Sequence, residues 1–293
     1  MPSKIKRRMV IMAVVFVITL GSVPRSGAIN FIKDVFRAIR SEVHLALFML
    51  HRSESGIISP MQPIVLVTSK DFVFIAHAAG AVNGNPYQNS IEGLNSSFIK
   101  GCKYMEMDFD WTTEQQLVAT HGWENFFGDP VQGIMNLEEF KKRKRSDGST
   151  QMTFEDVDKW LLSHPGVSLI TDVKANNLGA LVIFRSSQSY RQIIPQVYSF
   201  MEFSKAKKMG FKQIILTNYV TSYSNSALLR FAEQAQPAAI TVPTIRLNES
   251  LIASLAEVGT PVFTHPVSHR ADLDLLPKGI KGIYSSTLCN LHP

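Results

Sequence analysis

Six side chains, His77, Glu106, Asp108, His121, Asp172 and Lys174, follow one another along the chain, five of them at the ends of apolar runs. Histidine exchanges protons near neutrality and carboxylates hold hard cations, so the set suits proton transfer beside a bound divalent metal. The run Phe72-Val73-Phe74-Ile75-Ala76 stops at His77 and is followed by Gly80, Gly84 and Pro86, which are loop residues. In Tyr104-Met105-Glu106-Met107-Asp108-Phe109, alternation sends Glu106 and Asp108 to one face and Met105, Met107 and Phe109 to the other. Two carboxylates side by side on a half-buried strand repel and lose hydration, which a shared cation relieves.

Leu117 to His121 follows Asp108 too closely for a helical crossover, which takes about a dozen residues. An antiparallel hairpin turning over residues 112–116 is expected, with His121 opposite Glu106. A further run, Val167 to Lys174, sets Asp172 and Lys174 on one face. Taken singly, each residue has a structural reading: a hydrogen-bonded strand-end histidine, the solvent face of an edge strand, or a surface ion pair contributing little. Solvated faces do not readily deliver two histidines, three carboxylates and a lysine in this order from four separate strand ends.

These motifs and their order resemble the glycerophosphodiester phosphodiesterases, barrel enzymes related to the phosphatidylinositol-specific phospholipases C. The segments carrying the resemblance are Ala76-His77-Ala78-Ala79-Gly80, Gln88-Asn89-Ser90, Glu106-Met107-Asp108, His121-Gly122 and Asp172-Val173-Lys174, and it extends over residues 72–290. Two departures stand out. Ala78 takes the place of the family's arginine, which helps hold phosphate, and Asp172 that of its third glutamate. The resemblance implies that Glu106, Asp108 and Asp172 hold one Ca2+ or Mg2+ ion, that Lys174 contacts phosphate, and that His77 and His121 act as general acid and base. Asn89 matches the family's asparagine and either contacts phosphate or caps the helix beginning at Ile91. Trp123, close after His121, is a candidate to line the pocket, whereas Trp111 reads as turn packing.

The elements that must position these groups form a TIM-type α/β barrel, a (β/α)8 fold made irregular by the hairpin. Strand candidates recur at 192–197, 213–217, 238–242, 261–265 and 281–285, and helical stretches between them end at Gly210 and Gly259. Such barrels gather their sites at the carboxyl ends of the strands.

Lys4, Lys6, Arg7 and Arg8 precede the apolar run Met9–Leu20, and the small residues Ser26-Gly27-Ala28 follow. Residues 1–28 read as an export signal or, if retained, an N-terminal anchor, leaving 29–293 as one barrel domain with an N-terminal helix. In that helix Phe31, Val35, Ile39, Val43, Leu47 and Leu50 recur at helical spacing and are expected to pack on the barrel. Cys102 and Cys289 fall on opposite rims, which predicts free thiols. The net charge of +6 includes a basic run from Lys141 to Arg145, a solvated face or a contact for anionic membrane. No nucleic-acid recognition motif accompanies it.

The expected activity is hydrolysis of a glycerophosphodiester to glycerol phosphate and an alcohol by an exported enzyme. The alternatives are a phospholipase of the C or D type acting on intact lipid, and a barrel that binds phosphate ligands without turnover.

Overall fold

The computed structural model describes residues 25–54, 72–124 and 126–289. Eight strands close a parallel barrel: β1 (Val73–Ala76), β2 (Tyr104–Trp111), β4 (Ser168–Asp172), β5 (Ile193–Val197), β6 (Ile215–Thr217), β7 (Ala239–Pro243), β8 (Val262–His265) and β9 (Ile280–Ser285). They run in the ring order β1-β9-β8-β7-β6-β5-β4-β2, and β2 pairs with β1 to shut it. The strands are buried on both faces, hence their rows of Val, Ile, Phe and Met. One side fills the barrel with Val73, Ile75, Ile170, Ile194, Ile215 and Phe263, and the other packs under the helices.

Strand β3 (Leu117–Ala119) lies outside the ring, antiparallel to β2, with Phe109 opposite Ala119 and Trp111 opposite Leu117. The turn closes through Thr112 N–H on the Gln116 carbonyl at 2.9 Å. That register places Thr120 opposite Asp108, its N–H donating to the Asp108 carbonyl at 3.1 Å. His121 is therefore one residue out of the expected alignment and reaches Asp108, not Glu106.

Helices α2 (Ile91–Ile99), α3 (Leu137–Lys142), α4 (Phe154–Leu162), α5 (Asn177–Ser186), α6 (Phe200–Lys208), α7 (Asn225–Ala235) and α8 (Glu249–Glu257) each start behind a capping side chain. The caps are Ser90, Asn136, Thr153, Asn176, Ser199, Ser224 and Asn248, each accepting from a first-turn N–H that the helix itself cannot satisfy. This fixes where each chain segment leaves the barrel mouth and turns back.

The N-terminal helix α1 spans Arg25–Glu54 and packs on α6 and α7. It docks by Ser41, Leu45 and Phe48, so the stripe of Val43, Leu47 and Leu50 faces outward instead of inward. Residues 1–24, which hold the basic and apolar parts of the expected leader, lie outside the described residues.

Cys102 and Cys289 form a disulfide, overturning the expectation of free thiols. Four residues past β9 can travel about 13 Å, enough to leave the rim. Beyond β9 the chain folds down along α2: Cys289 Sγ lies 3.9 Å from the Ser97 carbonyl, which also accepts the Cys102 N–H at 3.0 Å. The basic run is also less free than its composition implies. Lys142 pairs with Glu138 and Arg143 with Asp129, while Arg145 is buried, donating to the Gln88 carbonyl and to Asp147.

Candidate active site

The carboxyl ends of the strands surround a cavity of about 250 Å3 lined by all six residues of the ordered set. Glu106 and Asp108 point in from β2, and Asp172 from the end of neighbouring β4, where Asp108 and Asp172 are partners in register. One oxygen from each lies within 4.8 Å of the others, and the three residues are only 1, 3 and 8% exposed. Burial, followed by the charges of Asp108 and Asp172, pushes the Glu106 carboxyl well above the usual carboxylate range. Asp108 is raised too, first by burial and then by Asp172. Three buried acids facing one lysine make an all-oxygen donor set with excess negative charge, which fits a hard divalent cation such as Ca2+ or Mg2+.

Each carboxylate is held by a neighbour that leaves lone pairs over. The Ala78 N–H donates to Glu106 Oε2 at 2.8 Å and Asn89 Nδ2 to Asp108 Oδ2 at 2.9 Å. Both oxygens of Asp172 accept phenolic hydroxyls, Oδ1 from Tyr198 and Oδ2 from Tyr219, the latter at 2.9 Å. A carboxylate oxygen accepts about two hydrogen bonds, so all three side chains keep capacity for a cation.

The two histidines flank this cluster. His77 Nε2 is 3.9 Å from Glu106 Oε2, and His121 Nε2 is 3.9 Å from Asp108 Oδ1. Burial first, then the charges of His265, His121 and Lys174, lowers the His77 pKa to about 3, so its ring is neutral. Lys174 Nζ reaches His121 Nε2 at 3.1 Å and stands 3.8 Å from Asp108 and 3.9 Å from Asp172. An ammonium can only donate, so in this contact His121 Nε2 is the acceptor.

Asn89 does not reach the cavity and does not cap α2, which Ser90 does. Fully buried, it clasps Asp108 from behind. Trp123 is likewise not a lining residue. It is buried with Phe127 and Phe140 in the pocket of apolar side chains beyond β3. Trp111, read as packing, is buried and donates its indole N–H to the Ala175 carbonyl at 2.8 Å.

Next to His77, Ala78 is wholly buried with φ +48°, its N–H committed to Glu106. Lys174 is the one lysine or arginine among the described lining residues. The lining also contains Tyr87, Gln196, Tyr219, His265 and Tyr284, which the motifs did not select. His265 had a visible signal: the run Val262-Phe263-Thr264 stops at a histidine just as β1 does. Among the described residues its buried Nε2 has no hydrogen-bond partner, and burial lowers its pKa.

Fold and site together define a TIM-type barrel whose mouth sets a buried carboxylate triad between two histidines. No protein-family model matches the chain. Among solved structures, the glycerophosphodiester phosphodiesterase of Thermotoga maritima superposes with a TM-score of 0.57 at 16% identity, over 73% of this chain and 94% of that one. One from Parabacteroides distasonis gives 0.60 at 16%, over 74% and 92%. An Oleispira antarctica phosphodiesterase, solved in complex with the product sn-glycerol-3-phosphate, gives 0.59 at 16%, over 73% and 92%. At these identities the likeness shows a shared fold.

Proposed function

We propose that the chain is an exported, metal-dependent phosphodiesterase that hydrolyses glycerophosphodiesters to glycerol phosphate and an alcohol. The observation that carries this reading is the buried triad of Glu106, Asp108 and Asp172 between His77 and His121. A bound Ca2+ or Mg2+ ion would supply positive charge against the phosphate oxygens as charge builds on phosphorus. Lys174 adds a second cation at the same place, the one lysine or arginine among the described lining residues. Neutral His77 can accept the nucleophile's proton, and His121, on the other side of the triad, can exchange one with the leaving alcohol or the reverse. Tyr219 and Tyr198 hold Asp172 in line, which compensates for a side chain one methylene shorter than glutamate. The basic and apolar run expected to be a leader within residues 1–28, together with the Cys102–Cys289 bridge, supports export to an oxidising compartment.

Action on intact phospholipid is the second reading, favoured by Val220 and Ile245 at the mouth, 56 and 93% exposed. The test offers glycerophosphocholine, glycerophosphoinositol and phospholipid micelles to the protein with Ca2+, Mg2+ or chelator, beside Glu106→Ala and His77→Ala. Metal-dependent release of glycerol phosphate, lost in both variants, supports the diesterase. Ligand binding without product from any substrate would leave a binding barrel instead.

A further inference from the structure

We propose that the outward face of α1 and the adjoining edge of the barrel mouth form a docking surface for an anionic lipid bilayer. The surface is argued from exposure and charge and does not depend on the diesterase reading. Helix α1 is apolar on two sides. One side buries Leu45 and Phe48, the Phe48 ring meeting Phe200 and Phe231 at 6.3 and 5.1 Å. The other carries Phe36, Val43, Leu47 and Leu50, which are 62, 40, 48 and 51% exposed. Spacings of seven, four and three residues align these four along one stripe. Scattered exposed apolar residues are ordinary on a soluble protein, whereas a continuous stripe opposite the packed face marks an interaction surface.

The helix that carries this stripe is tied to the loops of the mouth. Arg40 donates to the Thr221 carbonyl, Ser41 Oγ accepts the Ser224 N–H at 3.1 Å, and His44 Nδ1 lies 2.8 Å from the Tyr223 hydroxyl. The middle of α1 is thereby tied to the loop between β6 and α7, on the active-site rim. That loop exposes Val220, and the next one round the rim exposes Ile245. Arg246, beside Ile245, donates to the Asn218 carbonyl and the Ser222 hydroxyl, and the charge of Arg37 is close enough to depress its pKa after burial does. Among the described residues neither Arg40 nor Arg246 pairs with a carboxylate. Guanidiniums without acid partners beside large apolar side chains match a bilayer surface, phosphates taking the first and the acyl boundary the second.

The sequence ahead of α1 argues for the same occupant. Only Gly21 to Pro24 separate the apolar run Met9–Leu20 from the start of α1. If retained as an anchor, that run would bring the membrane within four residues of the helix that is tied to the rim. The run Lys141 to Arg145 is the weaker candidate, since three of its five cations are already matched by acids.

The test uses the full chain with its disulfide intact, carrying an environment-sensitive fluorophore on Ile245→Cys, Leu47→Cys or, at the far end of α4, Leu162→Cys. Vesicles of phosphatidylcholine with and without phosphatidylserine are added. The expected result is a blue shift at positions 245 and 47, none at 162, and tighter binding with the anionic lipid. Arg40→Gln with Arg246→Gln should weaken partition onto the anionic vesicles about tenfold or more. Fluorophores at 245 and 47 that stay in water while the chain sediments with vesicles would overturn the proposal, leaving the leader as the sole anchor. So would a concentration-dependent dimer that Leu47→Asp dissociates, since a second copy would then cover the face.

Discussion

Asn89 and Asp108 are joined in both directions: the carboxamide Nδ2 donates to Asp108 Oδ2 at 2.9 Å, and the Asp108 backbone N–H donates to Asn89 Oδ1 at 3.1 Å. The clasp fixes both the side chain and the strand that carries it. Asn89 also sits at φ +43°, a left-handed conformation that asparagine tolerates better than most residues. Partners of this kind behind metal ligands contribute about 10- to 100-fold to metal affinity or activity. Asn89→Ala should therefore raise the metal concentration for half-maximal activity by about that factor. Circular dichroism should show the fold retained, and isothermal titration with Ca2+ or Mg2+ checks the affinity directly.

The triad ties stability to pH. Glu106 and Asp108 have raised folded-state pKa values, so the folded chain holds protons that the unfolded chain has released. Their contribution is complete below the ordinary carboxylate range and is lost as pH rises through the raised values. His77 works the other way: with its pKa lowered to about 3, its contribution is complete above about 6.5 and is lost as pH falls towards 3. In chelator, the melting temperature should decline on the alkaline side. Added Ca2+ or Mg2+ should reverse this decline, contributing about 2.7 kcal/mol at a hundred times the dissociation constant. The rise should be larger at pH 8 than at pH 5, because a cation must displace protons to bind. Scanning calorimetry of wild type and Glu106→Gln checks this, the variant losing most of the metal response.

Tyr219 donates to Asp172 from just beyond β6, and its own pKa is pushed up by burial and by the Asp172 charge. Tyr219→Phe removes one hydroxyl without opening a cavity and leaves a buried acceptor short of a donor, a change of about 1–3 kcal/mol. A rise in the metal requirement of about 10-fold or more is expected. Asp172→Glu in the Tyr219→Phe background should recover part of it if the two hydroxyls serve to place a short carboxylate. Metal-activation curves for the single and double variants provide the comparison.

The bridge between Cys102 and Cys289 spans 187 residues of sequence. Cross-links that close loops of this size stabilise by about 2–5 kcal/mol, mainly by restricting the unfolded chain. Cys102→Ser with Cys289→Ser should lower the urea midpoint by a corresponding amount while leaving the active-site geometry and turnover intact. Urea unfolding of oxidised and reduced wild type is the parallel measurement.

Strand-end side chains were legible in the sequence because alternation and loop residues fix which positions face the mouth, and that rule placed Glu106, Asp108, Asp172 and Lys174 around one cavity. The same rule applied to Val262-Phe263-Thr264-His265 would have added His265. Tyr198 and Tyr219 carried no such signal: each lies just past a short strand, and its role depends on a carboxylate brought close only by barrel closure. Trp123 misled because closeness in sequence to His121 does not survive the turn beyond β3, where the chain leaves the mouth for its own apolar cluster. The stripe on α1 misled in the opposite sense. Periodicity reports that a helix has an apolar face, and a helix with two such faces leaves open which one meets the barrel.

A closed barrel has a seam where its first and last strands meet, here β1 against β9. Cys102 opens the approach to β2 on one side of β1, and Cys289 trails β9 on the other, so the covalent link straddles that seam. The last strand cannot peel away as a free end. Opening is expected to begin away from the bridge, on the opposite arc of β5, β6 and β7. Slow amide exchange should therefore persist along β1 and β9 after the β5–β7 arc has begun to exchange, making the side of the barrel farthest from the bridge the first to yield.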